Sequence, residues 1–221
     1  MTKKEKTGVL FSGGKDSCLA LYKYGKDKVD VLLSIIPESK DSWMFHKPDL
    51  KLLKKQAEML GIKLIIEKTK GKKDEELKDL KKLIKKSGIN NLVIGGIKSN
   101  YQGARITSIC KELGVELVAP LWGYSVNDLW KELLDNGFKV IITKIACEGI
   151  GKDFIGKIID KEKFKELKAL AEKYKFSLDF EGGEAETAVL YMPGFKKELK
   201  IGYDTESEDK YRHFINLNEV K

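Results

Sequence analysis

Short apolar runs alternate with segments of helical period as far as Pro120, and this order leaves few folds open. The run "DVLLSII", residues 30–36, is almost continuously apolar, as in a strand that is buried on both faces. In residues 49–60 the apolar side chains recur at helical spacing before Gly61, which predicts a helix that ends there. A β-α-β-α order predicts a parallel sheet with helices on both faces, whose ligands bind beyond the carboxyl ends of the strands. The same patterns predict strands at 9–11, 62–67, 91–96 and 116–120 and helices at 16–24, 74–88 and 102–113.

The pattern changes after Pro120. A predicted helix at 126–136 and a predicted strand at 138–146 lead into a glycine-rich loop. A helix at 161–174 and three short strands follow, in the stretches "TAVLY", "ELKIGYD" and "YRHFINL". We therefore expect an α/β domain over residues 1–124 and a smaller α+β domain over residues 125–221.

Charge and cysteine content restrict the partners and the compartment. The formal net charge is +8, but the lysines are interleaved with 34 acidic residues, which disfavours nucleic acid as a partner. Cys18, Cys110 and Cys147 lie far apart without a CxxC pair, which disfavours a disulfide scaffold and fits a reducing cytoplasm. No apolar stretch approaches the roughly 18 residues of a membrane span, so we expect no membrane partner. The sequence leaves a homo-oligomer open.

The stretch "VLFSGGKDSCLALYK" places a glycine pair between a predicted strand and a predicted helix. Backbone N–H groups at such a turn point outward, and the helix dipole favours an anion there. The stretch is not a P-loop, since Val9 and Asp16 stand where that motif needs Gly and Ser or Thr. We expect it to enclose pyrophosphate, with Asp16 positioning a magnesium ion. The alternative is an ordinary β-turn with a helix cap. The candidate phosphate-binding residues here are Ser12, Gly13, Gly14, Lys15, Asp16 and Ser17.

A second polar constellation is "GGIKSNYQGARI", where a predicted strand ends in Gly95 and Gly96. The glycines would let the nucleotide approach the backbone, and the Arg105 guanidinium could hold a carboxylate or the α-phosphate. The candidate ligands that accompany Arg105 are Ser99, Tyr101 and Gln102. Alternatively, Tyr101 and Arg105 form only a surface pair on one helix face.

A third constellation is "EGGEAET", with three carboxylates and two glycines in seven residues. Its candidate ligands are Glu181, Glu184, Glu186 and Thr187. Converging carboxylates could bind magnesium or a cationic substrate group, and the glycines would allow a tight turn. The alternative is a solvated loop.

The motif "SGGKDS" after a first strand resembles the signature of the N-type ATP pyrophosphatases, the PP-loop superfamily. Members cleave ATP between the α- and β-phosphates, adenylate a carboxylate or carbonyl oxygen and release pyrophosphate. The resemblance implies a Rossmann-like sheet of the adenine nucleotide alpha hydrolase type, with ATP and Mg²⁺ as cofactors. It does not identify the acceptor.

Three further stretches resemble the diphthine–ammonia ligase (diphthamide synthase) family in its short archaeal form, over nearly the whole chain. Ser-x-Tyr-Gln-x-x-Arg matches residues 99–105, Pro-Leu-Trp matches residues 120–122, and Glu-Gly-Gly-Glu-x-Glu-Thr matches residues 181–187. The chain departs from the family pattern at three positions, which are Phe180 in place of a common glycine, Ala185 in place of a common aromatic and Tyr191 in place of a frequent aspartate.

This second resemblance implies that ATP adenylates the carboxylate of diphthine, a modified histidine of translation elongation factor 2, and that free ammonia then forms the amide. Lys15, Asp16 and Arg105 become the catalytic candidates, because Lys15 and the loop backbone would stabilise the departing pyrophosphate. The expected substrate-binding residues are Ser99, Tyr101, Gln102, Arg105, Trp122, Glu181, Glu184, Glu186 and Thr187.

Diphthine carries a quaternary ammonium group, and such groups favour aromatic faces near negative charge. We therefore expect Tyr101, Trp122 or Tyr124 to form the ammonium pocket together with Glu184 or Glu186. Alternatively, Trp122 is a core residue at a strand end.

Two other functions share the first motif. A tRNA-thiolating enzyme would contain it, but such enzymes usually need paired cysteines, which this chain lacks. A nucleotide-binding sensor without turnover would also contain it, but binding alone would not require the second and third constellations.

Overall fold

The structure is a computed structural model that describes residues 5–38, 48–71, 73–96 and 100–221, with only the backbone described for residues 73, 74 and 100–102. The chain divides into two compact units. The first ends at Gly123 and the second runs from Tyr124 to Lys221. The tripeptide Gly13–Lys15 groups with the second unit, although it lies early in the sequence.

A five-stranded parallel sheet forms the first unit, with the strand order β3-β2-β1-β4-β5 among the described residues. This confirms the predicted α/β class. The strand predicted at 9–11 lies at 7–10, because backbone pairing with β2 and β4 includes Thr7 and Gly8 and needs no apolar side chain. The elements are β1 Thr7–Leu10, α1 Lys15–Tyr24, β2 Val31–Pro37, α2 Leu50–Leu60, β3 Lys63–Thr69, α3 Lys73–Ser87, β4 Asn91–Val93, α4 Asn100–Leu113 and β5 Glu116–Val118.

The core of the first unit contains the central strand β2, and α2 begins and ends at local sequence signals. Every residue of β2 is buried, as its almost continuously apolar sequence predicted. The α2 helix begins at the Asp49 cap, whose side chain accepts hydrogen bonds from the backbone N–H groups of Lys51 and Leu52. It ends at Gly61, whose left-handed φ of 69° matches the predicted helix stop.

A four-stranded antiparallel sheet forms the second unit, with the strand order β7-β6-β9-β8 in the part of the chain that the structure describes. The helices accompany this sheet, so the predicted α+β class is also confirmed. The elements are α5 Val126–Asp135, β6 Lys139–Ala146, α6 Lys161–Tyr174, β7 Ala185–Tyr191, β8 Ile201–Ser207 and β9 Arg212–Val220.

Aromatic packing joins α5 and α6. Ser125 and Asp128 form a capping box at the start of α5. Trp130 on this helix is fully buried and stacks on Phe164 of α6, with ring centroids 4.9 Å apart. Phe180 meets the same indole edge-on at 6.3 Å. The indole therefore fixes the segment that precedes β7.

Neither a membrane-spanning helix nor a cluster of metal ligands occurs among the described residues. None of their helices is both long and apolar enough to cross a bilayer. They also contain no group of three or more His, Cys, Asp or Glu side chains placed to hold a metal ion. His213 is buried and its Nδ1 lies 2.8 Å from Ser207 Oγ, a structural role; His46 lies outside the described residues.

Candidate active site

The glycine turn joins the end of β1 to the first residue of α1. Gly13 has a φ of 75°, which an L-residue adopts only at a cost. Ser12 Oγ lies 3.2 Å from Ser17 Oγ, and the Ser12 backbone N–H donates to the same hydroxyl at 3.3 Å. Asp16 stands in the first turn of α1, with its Oδ1 shielded from solvent. A turn followed by a helix start favours an anion, and phosphate binding by these residues stays a prediction.

Within the second unit, the tripeptide Gly13–Lys15 is hydrogen-bonded to β7. The Val189 N–H donates to the Gly13 carbonyl at 3.0 Å. The Lys15 N–H donates to Thr187 Oγ1 at 3.2 Å. Thr187 is the last residue of "EGGEAET", so the tripeptide Gly13–Lys15 contacts the third constellation within this unit.

The Lys15 side chain is almost completely buried, with 1% of its surface exposed. Its Nζ donates to the Asp179 carbonyl at 2.5 Å and lies 5.4 Å from the centre of the Phe180 ring. A carbonyl oxygen and an aromatic face are both favourable for a buried ammonium group. Lys15 therefore contacts the segment that immediately precedes "EGGEAET", residues 181–187, which we call the acidic turn.

The acidic turn is held by its own hydrogen bonds. The Asp179 carboxylate accepts from Ser177 Oγ at 2.6 Å and from the Glu181 N–H at 3.2 Å. Glu184 Oε1 accepts from the Ser177 N–H at 3.3 Å. Glu184 Oε2 is buried and accepts no hydrogen bond from the residues that the structure describes.

Glu186 lies one residue before Thr187 on β7. Its Oε1 accepts a hydrogen bond from the Lys144 ammonium on β6 at 3.2 Å, and both side chains are partly exposed. The carboxylates of "EGGEAET" therefore have different surroundings: Glu186 is ion-paired, Glu184 has one shielded oxygen, and Glu181 is exposed.

The two glycines that follow β4 differ in their surroundings. A Cβ at Gly95 would lie 2.6 Å from the Asp16 carbonyl carbon and 2.7 Å from the Ser17 nitrogen. Gly95 is thus required for the close approach of this backbone to the start of α1. A Cβ at Gly96 would meet no atom of the described residues within 4 Å.

The second constellation is only partly described. Ser99 lies outside the described residues, and Tyr101 and Gln102 lie on α4 with side chains outside the description. Arg105 lies on the same helix and has its Nη1 buried. The predicted grouping of these four side chains stays a prediction.

Trp122 is not a core residue, since 55% of its surface is exposed. Its neighbour Leu121 is fully buried and anchors the turn in the core. The indole lies against Gly103 of α4, where an added Cβ would approach it to 3.7 Å. Trp122 thus exposes an aromatic face on the first unit, which also contains α4. Tyr124, the first residue of the 124–221 segment of the second unit, is half-buried.

All three cysteines carry free thiols. Burial raises the pKa of the Cys18 thiol far above its ordinary value and the pKa of the Cys110 thiol to about 11. Burial also raises the pKa of the Cys147 thiol. Raised pKa values suppress the thiolate that sulfur transfer needs. The site therefore has no activated cysteine.

Comparison with known proteins decides between the chemistries that such a site allows. Residues 5–117 match the family model of the diphthamide synthase N-terminal domain, and residues 125–221 match that of the C-terminal domain. The chain belongs to the diphthamide synthase family. The diphthine–ammonia ligases of Mus musculus and Homo sapiens are each 29% identical to it, over 89% of this chain and 82% of theirs. That of Schizosaccharomyces pombe is 31% identical over 87% of this chain and 35% of its own.

No role was predicted from the sequence for four residues that lie around this candidate site, namely Trp130, Ser177, Asp179 and Phe180. One signal was present, because Phe180 stands where the family commonly has glycine. The structure gives Phe180 a φ of 62°, in the left-handed region that glycine occupies without strain. The common glycine at this position of the family pattern therefore indicated that the backbone of Phe180 has a positive φ.

Proposed function

We propose that the chain amidates diphthine on translation elongation factor 2 in the cytoplasm, using ATP and free ammonia. Membership of the diphthamide synthase family and the names of its relatives support a ligase that forms a C–N bond. One structural observation carries the assignment to this site. The Lys15 N–H of the glycine turn donates to Thr187 Oγ1, so this turn contacts the acidic motif by which the chain resembles the diphthamide synthase family.

The reaction has two balanced steps. A diphthine carboxylate oxygen attacks the α-phosphorus of ATP, an O–P bond forms, and the bond to the β-phosphate breaks to release pyrophosphate. Ammonia then attacks the acyl carbon, the C–N bond forms, AMP leaves with the electron pair of the C–O bond, and one proton passes to solvent. No residue needs to form a covalent intermediate, so positioning and charge stabilisation supply the catalysis.

The loop residues are assigned to the pyrophosphate. The backbone N–H groups of Gly14 and of the first turn of α1 after Lys15, whose own N–H is bonded to Thr187, would donate to its oxygens, with the Ser12 and Ser17 hydroxyls beside them. Magnesium, when bound, would neutralise charge on the phosphates, and Asp16 is the carboxylate that we assign to it because it lies at this helix start.

The trimethylammonium group is assigned to the exposed Trp122 face, together with Tyr101 or Tyr124. Among the carboxylates of "EGGEAET", Glu184 is a better candidate for a cationic group than Glu186, because the charge of Glu186 is already offset by Lys144. Arg105, Ser99 and Gln102 are assigned to the carboxylate that becomes adenylated and to the α-phosphate.

The proposal is tested with ATP labelled at the α-phosphate, which reports AMP, and in parallel with ATP labelled at the γ-phosphate, which reports pyrophosphate. We expect steady release of AMP and pyrophosphate only when both diphthine-bearing elongation factor 2 and ammonium are present. Without ammonium, pyrophosphate should appear in an amount close to one equivalent of enzyme and then stop. The matched control is elongation factor 2 with an unmodified histidine, which should give neither product.

Two outcomes would contradict the proposal. AMP formation that depends on tRNA and not on the factor would favour a thiolation-type enzyme. Tight ATP binding without any AMP, under all substrate combinations, would favour a nucleotide sensor.

A further inference from the structure

Phe180 holds an unusual backbone conformation beside the site. It is a non-glycine residue with a φ of 62°, it is buried, and it belongs to no helix or strand. Such a conformation costs about 1–2 kcal/mol for an L-residue. The surrounding structure must therefore hold it in place.

Four contacts hold this residue and its neighbours. The Phe180 N–H donates to the Ser177 carbonyl at 3.3 Å, and its carbonyl accepts from the Gly183 N–H at 3.2 Å. Its ring packs edge-on against Trp130, and the Trp130 Nε1–H donates to the Leu178 carbonyl at 2.9 Å. The segment 177–183 is thus fixed at both ends and under the indole.

The carbonyl that immediately precedes Phe180 is the one that receives the Lys15 ammonium. Because residues 179 and 180 share a peptide plane, the φ of Phe180 sets the direction of the Asp179 carbonyl relative to the Phe180 ring. The structure aims both the carbonyl and the ring at Lys15 Nζ, at 2.5 Å and at 5.4 Å from the ring centre. A different φ at this residue would separate the two.

We propose that Phe180 is a positioning residue for the phosphate loop, whose left-handed backbone aims the Asp179 carbonyl at Lys15 and so fixes the Gly13–Lys15 backbone. Phe180 acts through Asp179 and Lys15 and does not touch the nucleotide. The inference rests on the proposed function in one respect, which is that this backbone binds the pyrophosphate of ATP.

The test compares Phe180→Gly with Phe180→Ala. Both variants lack the ring, but only glycine adopts a positive φ without strain. We expect Phe180→Ala to have a KM for ATP about fivefold higher than that of Phe180→Gly, with the KM for the diphthine-bearing factor equal in the two. Amide hydrogen exchange in a peptide that covers residues 12–17 should be several-fold faster in Phe180→Ala.

The control variant is Phe195→Ala, which removes a buried ring of the same unit that packs edge-on against Tyr191. It should lower the melting temperature but leave loop exchange and the KM for ATP at their wild-type values. Trp130→Phe serves if Phe180→Ala does not fold, because it keeps an aromatic ring on Phe164 and deletes the hydrogen bond to Leu178. It should raise the KM for ATP two- to threefold and speed loop exchange.

The inference would be overturned if Phe180→Gly and Phe180→Ala had the same KM for ATP and the same amide hydrogen exchange in residues 12–17. It would also be overturned if Trp130→Phe had the wild-type KM for ATP and the wild-type exchange in these residues. Failure of the proposed function has a different signature, namely a wild-type protein that forms no AMP. Loop exchange still reports on Phe180 in that case, because it needs no turnover.

Discussion

Lys15 belongs to the motif "SGGKDS", and its side chain is deeply buried. Its ammonium group contacts the Asp179 carbonyl and the Phe180 ring, so truncation to alanine would open a cavity as well as remove a charge. Methionine keeps most of the volume and removes only the charge and the donor. We expect Lys15→Met to lose about 1–3 kcal/mol of stability, the cost of a buried acceptor without its donor. We also expect kcat to fall by at least about 100-fold, since we propose this ammonium group as the one that stabilises the leaving pyrophosphate.

Both effects of Lys15→Met are measurable on one preparation, by urea unfolding and by steady-state release of AMP. Lys15→Arg is the matched variant that keeps the charge. Its longer, planar group cannot occupy the same site, so partial activity with a raised KM for ATP is expected. Near-normal AMP formation by Lys15→Met would contradict a role for this ammonium in the reaction.

At the scale of elements, one carboxylate joins two helices of the second unit. Asp135 at the end of α5 lies 2.7 Å from Lys131 Nζ and 2.9 Å from Lys161 Nζ, the first residue of α6. Hydrogen bonds from Lys131 and then Lys161 lower the pKa of this carboxyl from 3.8 to about 2. A lowered pKa in the folded state gives stability above pH 4 that is lost as the pH falls from about 4 to 2.

Asp135→Asn removes this ionisation. We expect its melting temperature to decline less than that of the wild type between pH 4 and pH 2, with only a small difference at pH 7, because the pair is exposed. Thermal unfolding at closely spaced pH values measures the two curves. Since salt screens exposed charges, 0.5 M NaCl should bring the curves together, and curves that stay parallel in low salt would exclude the assigned linkage.

The elements themselves were predictable because each leaves a local pattern. The almost continuously apolar β2 and the Gly61 stop act over a few residues, and both appear as predicted. The bonds from the loop to β7 leave no such pattern, because Lys15 and Thr187 are 172 positions apart. The burial of the Lys15 side chain was not predictable for the same reason, because the Asp179 carbonyl and the Phe180 ring that surround its ammonium group are distant in sequence.

At the scale of the whole molecule, the thiols distinguish amide formation from sulfur transfer. Burial raises the pKa of all three cysteines, so each is a neutral packing group near neutral pH. A variant with Cys18, Cys110 and Cys147 all changed to alanine should therefore keep the reaction. We expect kcat within about twofold of the wild type and a loss of about 1–3 kcal/mol in stability, which comes from the buried sites.

The cysteine-free variant is informative only when it is folded, so circular dichroism and the cooperativity of urea unfolding accompany the AMP assay. The single variants form the control series, with Cys147→Ala the mildest because that residue is only half-buried. A folded cysteine-free protein that forms no AMP would show that a thiol takes part in the chemistry. That result would favour a thiolation-type pyrophosphatase. Retained turnover would instead support the carboxylate of diphthine as the group that ATP activates.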